Sequence, residues 1–356
     1  MSVRTVGSPQ ADTPHGRAVP RASRRTLLTR TGGLLLGVAV LALLCLVSIS
    51  VGAKSIPLTE VWSHLFSPVG SYDSDIVHTV RVPRTATGVV VGAALGLAGA
   101  LMQALTRNPL ADPGILGVNA GAFAGVVLSI SMLGIDSPLG YIWFAFAGAA
   151  GTTVVVYVLG TLGRGGATPV RLALAGTAVG AALTALTSTI IVMDAFTFDR
   201  VRMWNLGSLA VENASVLFAV LPFIVVGCVL ALALGPSLNA IALGEDLGRA
   251  LGAHVGRTRA LTAVAVTLLC GAATAVAGPI GFVGLMVPHA VRAVTGPDQR
   301  WVLPYSMVFA GVLLIASDII GRVVARPGEL EVGIVTAVLG GPALVLLVRR
   351  RKLAQL

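Results

Sequence analysis

The feature that most restricts this chain is a series of apolar stretches, each about 20 residues long, separated by short polar turns. A helix rises about 1.5 Å per residue, so about 20 apolar residues cross the roughly 30 Å hydrocarbon core of a bilayer. On that ruler the sequence predicts about ten spans, at residues 32–52, 85–105, 115–133, 141–162, 172–193, 214–234, 260–277, 279–295, 302–321 and 332–348. Lipid offers no partner to backbone N–H and C=O groups, and runs of this length satisfy them as helices. The predicted fold class is therefore an all-α integral membrane protein with about ten transmembrane helices. Composition excludes an ordinary soluble domain, since 55% of residues are hydrophobic and only 11% charged.

The net charge of +10 would suit a nucleic-acid partner, but the positions of the charges point to membrane topology instead. With the N-terminus in the cytoplasm, inside segments hold 18 Lys and Arg against 5 acids, and outside segments hold 7 against 10. That asymmetry is the one that orients spans, and an even number of spans returns the C-terminus to the cytoplasm. Residues 1–31 are rich in Pro, Gly, Ser, Thr and Arg and read as a disordered basic cytoplasmic tail. Within it, Ser23-Arg24-Arg25-Thr26-Leu27-Leu28 looks like a twin-arginine export signal followed by an apolar run. The many later spans, and the fit of these arginines as the inner flank of the first helix, set that reading aside. Cys45, Cys228 and Cys270 lie within apolar spans without a CxxC pair and read as small buried residues.

The longest strongly polar passage between two spans is Asn239 to Arg259. Leu243, Leu247 and Leu251 recur every four residues, which at helical pitch makes one apolar stripe, with Glu245, Asp246 and Arg249 pointing elsewhere. The passage is predicted to be one short amphipathic helix or a bent pair. Gly244, Gly248 and Gly252 share the spacing, and each costs about 1 kcal/mol against Ala inside a helix. Something outside the segment must then hold it in shape.

Other passages carry local signals. Leu58, Val61, His64 and Leu65 stand at helical spacing in the first outer segment, and Arg81-Val82-Pro83-Arg84 puts two cations at an outer boundary. Gly92, Gly96 and Gly99, then Gly117, Gly121 and Gly125, then Gly176 and Gly180, predict close helix packing in lipid. Asn108, Pro109, Asp112 and Pro113 form a turn on the cytoplasmic side. Three glycines and two prolines between Gly278 and His289 predict broken or short helices, with His289 and Arg292 closing the passage at the cytoplasmic face. Gly340-Gly341-Pro342 is expected to interrupt the last span in the same way. No second ligand stands at metal spacing from His289. Ionisable residues are scarce at mid-membrane, and the two lysines, Lys54 and Lys352, lie outside any GxxxxGK[ST] context, so energy has to come from a partner.

Several long motifs in fixed order resemble the permease subunits of FecCD-type ABC importers, which carry iron-siderophores, haem or cobalamin. They are RVPR at 81–84, GLAGALMQALTRNPLADPGILGVNAGA at 96–122, LALAG at 172–176, WNLGSL at 204–209, LGEDLGRALG at 243–252, GPIGFVGLMVPHAVR at 278–292 and VGIVTAVLGGP at 332–342. The resemblance implies a cobalamin-importer-like type II ABC importer permease fold over residues 32–353, in the bacterial cytoplasmic membrane. It implies a second permease chain, identical or homologous, two ATPase subunits beneath that bind ATP and Mg, and an extracytoplasmic substrate-binding protein above. This chain itself would bind no cofactor or metal and catalyse nothing.

By the same resemblance, Leu243, Gly244, Glu245, Asp246, Arg249, Leu251 and Gly252 are expected to couple to the ATPase. Arg81, Arg84 and Arg322 match positions at which family members meet acids of the binding protein. Spans five and ten are expected to line the path, with the turn Gly163–Arg171 a candidate gate. The chain departs from the family in Glu331, where Pro is usual before Val-Gly, and in Ala343 and Leu344, where an aromatic is common. Two other functions compete with an importer subunit. One is an ATP-independent secondary transporter of a small hydrophilic solute. The other is an intramembrane enzyme, for which Ser208 and the distant His289 make a poor nucleophile and base.

Overall fold

A computed structural model describes residues 24–52, 55–66, 71–162, 169–210 and 214–349. All the regular structure among the described residues is helical. The chain runs α1 (Arg24–Ser50), α2 (Leu58–Phe66), α3 (Tyr72–Ile76), a π turn over Val77–Arg81, α4 (Val82–Thr106), a 3-10 turn over Pro113–Leu116, α5 (Val118–Leu133) and α6 (Pro138–Thr161). It continues through α7 (Pro169–Met193), α8 (Ala195–Trp204), α9 (Ala214–Ala233), α10 (Gly235–Ala242), α11 (Glu245–Ala250), α12 (Val255–Ala277), α13 (Val283–Thr295), α14 (Gln299–Val324) and α15 (Val332–Arg349). Ten of these helices, α1, α4, α5, α6, α7, α9, α12, α13, α14 and α15, coincide with the ten predicted spans. Seven described stretches are long and apolar enough to cross a bilayer, and α5, α13 and α15 are shorter apolar helices packed among them.

The bundle is built around α4. In its most apolar window 78% of residues are buried, against 17% for α1 and 11% for α7. The glycine repeats explain how α4 reaches that position. A Cβ on Gly92 would stand 2.7 Å from the Gly311 Cα of α14, one on Gly96 would meet the Ser306 carbonyl, and one on Gly99 would enter the Gly284 carbonyl of α13. Backbones thus touch where only hydrogen atoms intervene, which is how helices gain dispersion energy in lipid. Gly121 and Gly125 do the same against Gly148 and Phe144 of α6. Gly180 departs from the expected pattern: its nearest neighbour is the Ala120 Cβ at 3.9 Å, because α7 lies at the edge of the bundle.

The outer segment folds as its spacing predicts, with α2 burying Val61 beside Ile49, Ile56 and Val77. Gly278–Phe282 breaks the chain between α12 and α13, with Gly278 at φ +69° and Phe282 at φ +67°. The expected interruption at Gly340–Pro342 does not occur. α15 runs through it with Pro342 inside the helix, and Gly340 instead leaves the space into which the Phe282 ring packs.

Candidate functional site

At the end of the bundle where α1 begins and α15 finishes, the Asn239–Arg259 passage forms the bent pair. α10 stops at Ala242, Gly244 turns the chain at φ +117°, α11 follows, and Gly252 turns it again at φ +86°. Both turns occupy backbone conformations that L side chains rarely adopt, so two of the three glycines stand where glycine is favoured. Gly248 lets α11 approach α10, since a Cβ there would lie 3.1 Å from the Ala240 carbonyl oxygen.

With Gly248 facing inward, the leucines face out. Leu243, Leu247 and Leu251 are 64%, 51% and 61% exposed, an apolar ridge that the described residues leave uncovered. Asp246 and Arg249 form an exposed pair at 3.5 Å, which in water contributes little. Glu245 opens α11, and its side chain lies outside the described residues.

The pair is tied to the bundle from beneath. The Arg107 Nη2 donates to the Ile241 carbonyl at 2.5 Å, and Arg107 itself ends α4 at φ +51°. The Asn239 Nδ2 donates to the Asp298 Oδ1 at 2.6 Å, and the Asn239 Oδ1 accepts from the Gln299 N–H at 2.8 Å. Asp298 caps α14. These bonds join α10 to the ends of α4 and α14, the two helices in closest contact.

The neighbouring turn is held by its own side chains. The Asn108 Oδ1 accepts from the Leu110 N–H at 3.0 Å, Pro109 follows, and the Asp112 Oδ1 accepts from the Gly114 N–H at 2.7 Å, with Pro113 opening the 3-10 turn. The turn folds back into the bundle, burying Ala111 and Leu116. Burial holds the Asp112 carboxyl above the usual carboxylate range, against the pull of the Gly114 N–H. His289 and Arg292 lie one turn apart on α13. Arg292 faces inward: its Nη1 donates to the Gln103 Oε1, and the Gln103 Nε2 donates to the Leu285 carbonyl at 3.0 Å.

At the opposite end lie the three arginines expected to meet acids of a binding protein. Arg81, Arg84 and Arg322 are 5%, 6% and 2% exposed. Arg84 donates through Nε and Nη2 to the Asp318 Oδ1 at 3.0 and 2.8 Å, and through Nη1 to the Glu329 Oε2 at 2.6 Å. The Arg322 Nη2 stands 2.8 Å from the Asp318 Oδ2, and its Nη1 donates to the Ser48 and Val51 carbonyls at 2.8 and 2.6 Å. Arg81 donates to the Ile49 and Ser50 carbonyls at 2.6 and 2.9 Å. The last turn of α1 exposes carbonyls that lack helical partners, and the guanidinium groups satisfy them. The three arginines join the ends of α1, α4 and α14.

Three widely separated motifs meet beside that network. The Gly333 N–H donates to the Gly207 carbonyl at 3.0 Å, and the Ser208 N–H donates to the Ala277 carbonyl at 2.8 Å. A Cβ on Gly207 would lie 2.6 Å from the Pro279 carbonyl oxygen. The Ser208 hydroxyl accepts from the Ala210 N–H at 3.1 Å. Glu331 and Arg200 line a pocket of about 220 Å³ with Trp204 and Tyr141. The candidate gate Gly163–Arg171 falls largely on 163–168, outside the described residues.

The profile of the FecCD transport family matches residues 40–350. The chain belongs to the FecCD transport family. It is 46% identical over 304 residues to the ferric enterobactin transport system permease protein FepD of Escherichia coli (strain K12), covering 85% of this chain and 91% of that one. It is 44% identical to the Fe(3+)-citrate import system permease protein YfmD of Bacillus subtilis (strain 168), covering 85% and 90%. Among solved structures, it superposes with TM-score 0.79 and 26% identity on a chain of an inward-facing ABC transporter assigned to the metal-chelate type, covering 90% of this chain and 99% of that one. The architecture is thus that of a transport permease and not of an enzyme.

Proposed function

We propose that this FecCD-family chain is the transmembrane permease subunit of an ATP-binding cassette importer that carries an iron-siderophore or similar metal chelate into a bacterial cytoplasm. The observation that carries the proposal is the exposed leucine ridge on α10 and α11, mounted on a base bonded to α4 and α14. The ridge is apolar, uncovered among the described residues and tied to the bundle, as a surface that receives force from a partner has to be. Two ATPase subunits bind ATP and Mg, and closure of their dimer presses on Leu243, Leu247 and Leu251, with Asp246 and Arg249 fixing the orientation.

A second permease copy or homologue completes the path, which α7 and α15 line. The exposed strip of α7 presents the hydroxyls of Thr177, Thr184 and Ser188, small polar groups that let a hydrated chelate pass without holding it. Both termini lie in the cytoplasm, and the extracytoplasmic binding protein sits on the opposite end. Arg81, Arg84 and Arg322 serve that docking indirectly, by fixing the helix ends on which the binding protein rests. The iron-chelate assignment is supported by what the named relatives carry.

Purification of the tagged chain from native membranes in mild detergent, with mass spectrometry of what accompanies it, tests the assignment. Recovery of an ATPase together with a second permease or a binding protein is the expected result. A chain that emerges alone, under conditions that preserve other transporter complexes, would overturn it.

A further inference from the structure

We propose that α2 is an interfacial helix, and that the edge carrying Leu58, Trp62 and Phe66 rests on the outer leaflet of the bilayer beside α1. A helix turns about 100° per residue, which divides α2 into three arcs. Leu58, Trp62 and Phe66 form one edge, Val61 and Leu65 the edge next to it, and Thr59, Glu60, Ser63 and His64 the far side. The apolar residues share one continuous arc, but the bundle takes up only part of it. Val61 is fully buried and Leu65 packs beside it, while Leu58, Trp62 and Phe66 are 49%, 59% and 71% exposed. The Trp62 and Phe66 rings lie together, with centroids 4.9 Å apart.

The level of α2 is fixed at both ends. The Ile56 N–H donates to the Ser50 carbonyl at 3.0 Å, and the Ser50 hydroxyl donates back to the Ile56 carbonyl at 2.7 Å. That pair of bonds fastens the approach to α2 to the last residue of α1. The His78 Nε2 donates to the His64 carbonyl at 2.9 Å, which fastens the other end of α2 to the π turn. With Val61 beside Ile49, the helix lies level with the final turn of a span, where hydrocarbon gives way to headgroups. An indole beside Leu and Phe on one edge, with polar side chains on the other, is the composition that this layer accepts.

Two other occupants fit less well. α1 packs on α14 and α4, whereas α7 packs on α5 and α6, so α2 stands away from the edge assigned to the second permease copy. A soluble binding protein comes and goes, and would leave the three apolar side chains in water at each departure. Lipid is always present: α1, to whose end α2 is fastened, exposes Leu36 and Leu43 by 66% and 58% along the membrane. The lipid contact requires only that the chain spans a bilayer, and so stands apart from the importer reading. Through the anchoring bonds, the leaflet sets the height of the π turn and of Arg81 at its end.

The test is tryptophan emission from the full chain in vesicles whose lipids carry bromine either near the headgroup or near the chain end, with the emission of Trp62→Phe subtracted to isolate Trp62. Headgroup-side bromine is expected to remove roughly half of the Trp62 emission, and chain-end bromine or iodide in the water much less. Trp62→Glu combined with Phe66→Glu should lift α2 from the lipid, so that amide exchange over Leu58–Phe66 in vesicles rises severalfold, while Trp62→Phe leaves it unchanged. Trp62 emission that iodide quenches and bromine does not would overturn the proposal, as would exchange that the double Glu variant leaves unaltered. So would emission that escapes bromine and responds only to an added extracytoplasmic protein, since that protein would then be the occupant.

Discussion

Replacing Asp318 by Ala puts the buried network at the opposite end to its most direct test. Asp318 is 1% exposed and faces two guanidinium groups, with three contacts of 2.8–3.0 Å. Removing it leaves Arg84 with Glu329 alone and leaves Arg322 with neutral oxygens from Ser48 and Val51. Breaking a buried ion pair by deleting one partner costs about 3–5 kcal/mol, because the remaining charge stays desolvated. For a chain of this size about 2 °C of melting temperature corresponds to 1 kcal/mol, so the midpoint should fall by about 6–10 °C. Glu329→Ala is the internal control. That carboxylate is 35% exposed, so its loss should cost no more than about 1 kcal/mol. Adding Arg322→Met to Asp318→Ala removes one orphaned cation and should recover part of the loss. Thermal denaturation in one detergent, followed by fluorescence-detected size exclusion, compares the four proteins. Equal shifts for Asp318→Ala and Glu329→Ala would refute the reasoning, since burial would then not decide the cost.

Leu247→Glu should leave the melting temperature within about 1 °C, as surface changes do, while abolishing stimulation of the partner ATPase; retained stimulation would remove the leucine ridge from coupling. Gly99→Ala drives a methyl group into the Gly284 carbonyl and should destabilise the α4 and α13 contact by at least about 1–3 kcal/mol, read by the same melting assay. Asp112→Asn keeps an acceptor for the Gly114 N–H and removes a carboxylate whose folded pKa is raised. A raised carboxyl stabilises the fold only while protonated, and that contribution is lost as pH rises from the ordinary carboxylate range through the raised value. The variant should therefore be the more stable protein at pH 7, with the difference shrinking as pH falls toward 4; a difference independent of pH would contradict the burial of Asp112.

Much of the fold was legible because its determinants are local. The predicted spans at 85–105 and 302–321 became helices at Val82–Thr106 and Gln299–Val324, since apolar length alone sets where a chain can cross. The glycine spacing of α4 and α5 read correctly as close packing, and of the two readings open for Asn239–Arg259, one short helix or a bent pair, the second is the one found. What periodicity cannot report is which distant residues meet. Arg84 and Asp318 are 234 positions apart, so RVPR alone does not show that Arg84 has a partner inside the subunit. Gly180 and Gly340–Pro342 misled for the opposite reason. The local signal was present, but α7 has no close neighbour at Gly180, and Phe282 fills the space at Gly340. The bonds from Arg107 and Asn239 that anchor the Asn239–Arg259 passage left no sequence signal beyond the polarity of the residues themselves.

The most direct test of the account is uptake of iron chelate into sealed vesicles containing the chain, with its ATPase and binding protein added or withheld. The account expects uptake only when ATPase, ATP and binding protein are all present, and none with Leu247→Glu. Uptake that proceeds without the ATPase and follows an imposed proton or sodium gradient would contradict it.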